Sequence, residues 1–109
     1  MLTPEEIEGY NRDVYVIPHG FCLNDAVIKE LWVAVDTVLE NNPGVLPDRM
    51  INSHLNGGRP LGVNGHPSVD MVVRNPEILE IVEAVLGPNL ILRLTHLFCK
   101  LPESVREVP

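Results

Sequence analysis

Leu90-Ile91-Leu92-Arg93-Leu94-Thr95-His96-Leu97-Phe98-Cys99-Lys100-Leu101 is the stretch on which the fold turns. It mixes Ile91, Thr95 and Phe98 with leucines and has no helix-capping residues, so it reads as a strand followed by loop, and as the longest strand in the chain. A strand needs hydrogen-bonding neighbours, and the sequence offers one other candidate, Val14-Tyr15-Val16-Ile17, a β-branched and aromatic run stopped by Pro18. Two strands alone make a marginal sheet with unpaired edges. The expectation is therefore an α+β chain whose sheet is incomplete. The competing reading is a small complete α+β domain in which helices bury the strand.

Outward from this stretch the sequence is mostly helical. Thr3-Pro4-Glu5-Glu6 combines an N-cap hydroxyl, a proline at the first helical position and a glutamate three residues after the cap, and predicts a helix to about Asn11. Asn24-Asp25 caps a longer helix with Val27, Ile28, Leu31, Val35, Val38 and Leu39 on one face, ended by Asn41-Asn42-Pro43-Gly44. Ser68-Val69-Asp70-Met71-Val72-Val73 predicts a short helix. Asn75-Pro76-Glu77 starts another, with an apolar stripe of Ile78, Leu79, Val82, Val85 and Leu86, closed by Gly87 and Pro88. Between Pro43 and Pro67 lie five of the eight glycines and no sustained period, which predicts a long loop. Such a loop in a compact domain is functional or held by a larger body.

Composition narrows the function classes. At 45% hydrophobic and 21% charged residues, the chain falls in the globular range, and no run approaches the roughly 18 apolar residues of a membrane helix. The start Met1-Leu2-Thr3-Pro4-Glu5-Glu6 lacks the pattern of a secretory signal, so a soluble, cytoplasmic protein without a membrane partner is expected. Net charge is -7, with 15 acidic against 8 scattered basic residues, which argues against nucleic acid as a partner. Cys22 and Cys99 suggest neither a zinc pattern nor a disulfide framework. No repeat or linker divides the 109 residues, which read as one piece of a domain.

Complete catalytic motifs are absent. None of His19, His54, His66 and His96 has an acid two positions later, which removes the local signature of a two-histidine, one-carboxylate iron site; no catalytic or metal residue is assigned. HExxH, Walker A, GxGxxG and GxSxG patterns are missing too. Gly57-Gly58-Arg59-Pro60 reads as a flexible turn, since no helix follows at once to bind an anion. His66 reads as a turn or surface residue, Cys99 as a small buried hydrophobe and Trp32 as a packing residue. Lys100 ends an apolar strand, where its ammonium can reach a carboxylate in a barrel interior. Its plainer role is a lysine guarding a strand edge.

Four stretches, in order and spacing, resemble the N-terminal part of phytanoyl-CoA dioxygenase-like proteins: Leu2-Thr3-Pro4-Glu5-Glu6, Arg12-Asp13-Val14-Tyr15-Val16-Ile17-Pro18, Leu86-Gly87-Pro88-Asn89 and His96-Leu97-Phe98-Cys99-Lys100-Leu101-Pro102. The ending Arg106-Glu107-Val108-Pro109 resembles the lead-in to that family's Trp-His-x-Asp iron segment. The resemblance implies a double-stranded β-helix, or jelly-roll, barrel of which residues 1–109 supply the helical flank and first strand. It implies an Fe(II)- and 2-oxoglutarate-dependent hydroxylase of small organic substrates, inactive as this chain alone and binding neither cofactor by itself. Lys100 then maps to the 2-oxoglutarate pocket, and His96 faces the same interior if strand alternation holds. Val14 stands where the family commonly has glycine, His19 is inserted near the Pro-Gly-Phe turn, and Leu101 replaces a proline. These departures fit a divergent member or a decaying gene copy. A second expectation, of another class, is a noncatalytic interaction module that forms a homo-oligomer through its unpaired strand. A complete small enzyme has no motif behind it.

Overall fold

Helix α1 (Pro4–Asp13) begins where the sequence places it. The Glu6 amide donates to Thr3 Oγ1 at 3.2 Å, and the Thr3 amide donates back to a Glu6 carboxylate oxygen at 2.8 Å, so two otherwise orphaned donors are satisfied reciprocally. The helix ends at Val14, whose φ of 68° is left-handed and whose amide donates to the Tyr10 carbonyl. A β-branched residue is strained there, since its Cβ crowds the following carbonyl. This conformation gives a physical reason for glycine at such a position. The computed structural model describes residues 1–57 and 62–103.

Helix α2 (Asp25–Asn41) is capped by Asn24, whose side-chain oxygen accepts from the Val27 amide at 2.9 Å. It buries Ala34 and Val38. A 3-10 turn (Pro47–Arg49) leads into β1 (Met50–Ile51), which pairs antiparallel with β2 (His96–Leu97), Met50 opposite Leu97 and Ile51 opposite His96. Between them lie α3 (Pro67–Val73) and α4 (Pro76–Leu86); α2 packs on α3, α3 on α4, and α4 on α1. Val38, Met50 and Val63 form a buried cluster flanked by Leu39, Val45 and Leu97. The described residues thus form an α+β fold of four helices and a two-stranded sheet. None of these helices is long and apolar enough to cross a membrane.

Three sequence expectations require correction. Residues 14–17 form no strand: Val14 caps α1, and no neighbouring segment supplies the hydrogen bonds that make a strand. The stretch at residues 90–101 is strand only at His96–Leu97, because β1 offers it only two residues of partner. Trp32 is 68% exposed rather than packed, since the buried face of α2 is the one carrying Ala34 and Val38.

The long glycine-rich connection is held by its own backbone. Val63 donates to the Ile51 carbonyl, Gly65 to Leu55 and His66 to Ser53, at 3.0, 2.7 and 2.9 Å, so the returning half of the loop lies against the outgoing half. The fully buried Ser53 donates its hydroxyl to the Met50 carbonyl at 2.9 Å. Gly58, Arg59 and Pro60 of the sequence-predicted turn lie outside the described residues. A Cβ at Gly65 would collide with the backbone carbonyls of Ser53 and Leu55, neither of which can swing aside. Gly65→Ala is therefore expected to destabilise the chain by more than about 2 kcal/mol in chemical denaturation. Val14→Gly should do the opposite, gaining about 1 kcal/mol by relieving the left-handed strain, with helical circular dichroism unchanged.

Candidate functional site

Strand β2 and the turn before β1 carry the residues singled out by the sequence. The Asn52 amide donates to the Thr95 carbonyl at 2.8 Å and the Cys99 amide to the Pro47 carbonyl at 3.0 Å, extending the contact on either side of the two-residue ladder. His96 is half-buried, and its Nε2 lies 3.0 Å from the Asp48 carbonyl oxygen. A carbonyl only accepts, so Nε2 carries the proton. The imidazole stacks on Phe98, with centroids 3.7 Å apart and planes 20° from parallel, so strand alternation continues beyond the ladder. Lys100 is exposed, and no carboxylate among the described residues pairs with it. Cys99 is half-buried outside the ladder; burial, then the Asp36 carboxylate, pushes its thiol up and away from the reactive thiolate.

The folded-back loop brings together two histidines that are distant in sequence. His54 Nδ1 lies 2.7 Å from Thr95 Oγ1, which ties the loop to the segment entering β2. His66 is the N-cap of α3, its Nδ1 accepting from the Ser68 amide at 3.1 Å. Both rings line a cleft of about 220 Å³ together with Asp70. Two histidines and an aspartate are the side-chain set of a non-haem iron centre. Their commitments oppose that role. The His66 Nδ1 lone pair is engaged by Ser68, which puts the neutral ring's proton on Nε2, and Asp70 accepts from Arg74 Nε through both oxygens at 2.9 and 3.1 Å. Among the described residues, no three His, Cys, Asp or Glu side chains are placed to hold a metal ion. The residues here do not fit Fe(II), and no catalytic step is assigned to them.

A second cleft, about 580 Å³, lies between α1 and the segment after it, lined by Glu6, Tyr15, Ile17 and His19 among others. Glu6 is its most engaged group. One carboxylate oxygen accepts from the His19 amide at 2.8 Å and lies 2.9 Å from His19 Nδ1, while the other accepts from Thr3. These donors, the His19 amide foremost and then the Thr3 amide and the His19 ring, lower the Glu6 carboxyl from 4.5 to about 2.

Compared with protein-family models, with curated proteins and with solved structures, the chain matches none.

Sequence reasoning located His96 and Lys100 but not their surroundings. It gave His54 no part, and the His54–Thr95 contact spans 41 positions with no local signal. The His19 contact had half a signal, because the capping box had already fixed Glu6 at the start of α1. The Glu6 contacts set a pH response. A carboxyl lowered on folding stabilises the fold above its unfolded value near 4.5, and that contribution is lost as pH falls toward 2. Thermal melts across that window should show the loss, and Glu6→Gln should flatten the dependence while lowering stability at neutral pH.

Proposed function

We propose that residues 1–109 are the helical flank and opening strand of a jelly-roll domain of the phytanoyl-CoA dioxygenase-like class, and that they do not catalyse by themselves. The class hydroxylates small organic substrates with Fe(II), 2-oxoglutarate and oxygen. The observation that carries the reading is the state of β2: it is paired over two residues, it places His96 against Phe98, and it leads to an exposed Lys100 that pairs with no carboxylate among the described residues. Such a strand suits a sheet to which more strands belong. The order of elements supports it too, with α1 to α4 preceding β2 as the resemblance implies. In this reading Lys100 is one carboxylate contact for 2-oxoglutarate, and His96 lines the same interior while its Nε2 fixes the Asp48 turn. A noncatalytic module that pairs by strand addition is the second reading, favoured by the backbone of residues 91–94, which makes no backbone hydrogen bond among the described residues.

Two measurements test the first reading. Calorimetric titration of the 109-residue chain with Mn(II) and 2-oxoglutarate is expected to show no stoichiometric tight binding; tight binding would overturn it. Reading the gene past the Pro109 codon is expected to give an in-frame Trp-His-x-Asp segment, and an immediate stop there would count against it. In a product containing that segment, Lys100→Ala should weaken 2-oxoglutarate binding about tenfold or more, the worth of one charge-assisted contact.

A further inference from the structure

Among the helices of the described residues, only α3 starts on a titratable cap. Helices α1, α2 and α4 are capped by Thr3, Asn24 and Asn75, whose side chains accept at any pH at which the chain is folded. Helix α3 is capped by an imidazole, with His66 Nδ1 accepting from the Ser68 amide at 3.1 Å. That amide depends on the ring. Pro67 has no N–H and the Val69 amide donates to the His66 carbonyl at 3.0 Å, which leaves the Ser68 amide as the first-turn donor that needs a side-chain acceptor. An imidazole accepts at Nδ1 only while that nitrogen is unprotonated. Histidine is the side chain that changes charge between about pH 5 and 8. A second proton on the ring sets one donor against another and places a positive charge at the positive end of a helix.

The charged groups around the ring do little to hold that charge. On the α2 side, Lys29 and Glu30 line a cleft of about 330 Å³ with His66 and Ser68, and their opposite charges offset each other. On the loop side stand His54, a second imidazole, and Asp70, whose two oxygens already accept from Arg74. We propose that His66 is an acid-sensitive latch: protonation of its ring releases the Ser68 amide and opens the first turn of α3. Two features are anchored at that turn. The His66 amide donates to the Ser53 carbonyl at 2.9 Å and so closes the folded-back loop, and Val69 is buried in a helix that packs on α2. Acid therefore loosens the loop and the start of α3 together, in a window above the one that Glu6 sets. The inference does not depend on the dioxygenase reading.

Nuclear magnetic resonance of the 109-residue chain tests it. At pH 8 the ring nitrogen shifts of His66 should show a bare Nδ1 and a protonated Nε2. Between pH 8 and pH 5 the protection of the Ser68 amide, its exchange rate relative to an unstructured peptide, should fall about tenfold or more. Val27, whose amide is capped by Asn24, is the internal control and should keep its protection. His66→Asn keeps a cap acceptor without a titrating group, so Ser68 should then stay protected at both pH values although His54 remains. If that variant unfolds, the wild-type comparison of Ser68 with Val27 decides. A ring protonated on Nδ1 at pH 8 would overturn the proposal. So would Ser68 protection that holds level or falls in step with Val27, or a folded His66→Asn in which it still falls.

Discussion

The arrangement depends most on one buried amide. Asn42, at the end of α2, donates to the Val38 carbonyl at 2.7 Å and to the Asn64 carbonyl at 2.9 Å, and accepts from the Asn64 amide at 2.9 Å. Its side chain thus pairs with the loop as a strand's backbone would, in both directions. Asn42 is 8% exposed, so each of these groups would be left without water if the pairing broke. Through Asn64 the pairing holds the returning half of the loop, and the loop in turn holds Val63 against Val38 and Met50. The small core exists because a polar side chain fixes where the apolar ones stand.

Helices were legible because their signals are local. Thr3 and Glu6, Asn24, and Asn75 with Pro76 each report a helix start within four residues, and the structure uses all of them as caps. The strands were not legible, because a strand is defined by a partner that lies far away in sequence. Val14-Tyr15-Val16-Ile17 has strand composition and no partner; Met50 and Ile51 have little strand signal and are paired. The same limit governs the sites. His96 stood out by its place in an apolar run, while His54 and His66 meet only because Gly65 and His66 hydrogen-bond back across the loop.

The two histidine environments separate composition from capability. His54, His66 and Asp70 line one cleft, yet each has a partner that fixes it for structure: Thr95, Ser68 and Arg74. A metal ion requires lone pairs aimed at one point, and these point elsewhere. Lys100 is the reverse case, an exposed charged group that pairs with no carboxylate among the described residues.

The folded-back loop also bears on how the molecule ages. Asn-Gly peptides lose ammonia when the glycine nitrogen turns onto the preceding asparagine side chain, and the sequence has such pairs at Asn56-Gly57 and Asn64-Gly65. At the second pair the Gly65 amide is already donating to the Leu55 carbonyl at 2.7 Å, and the Asn64 backbone is clasped on both sides by Asn42. The rotation that starts the cyclisation is therefore blocked while the fold persists. Deamidation at Asn64 becomes a chemical clock that runs only in unfolded molecules.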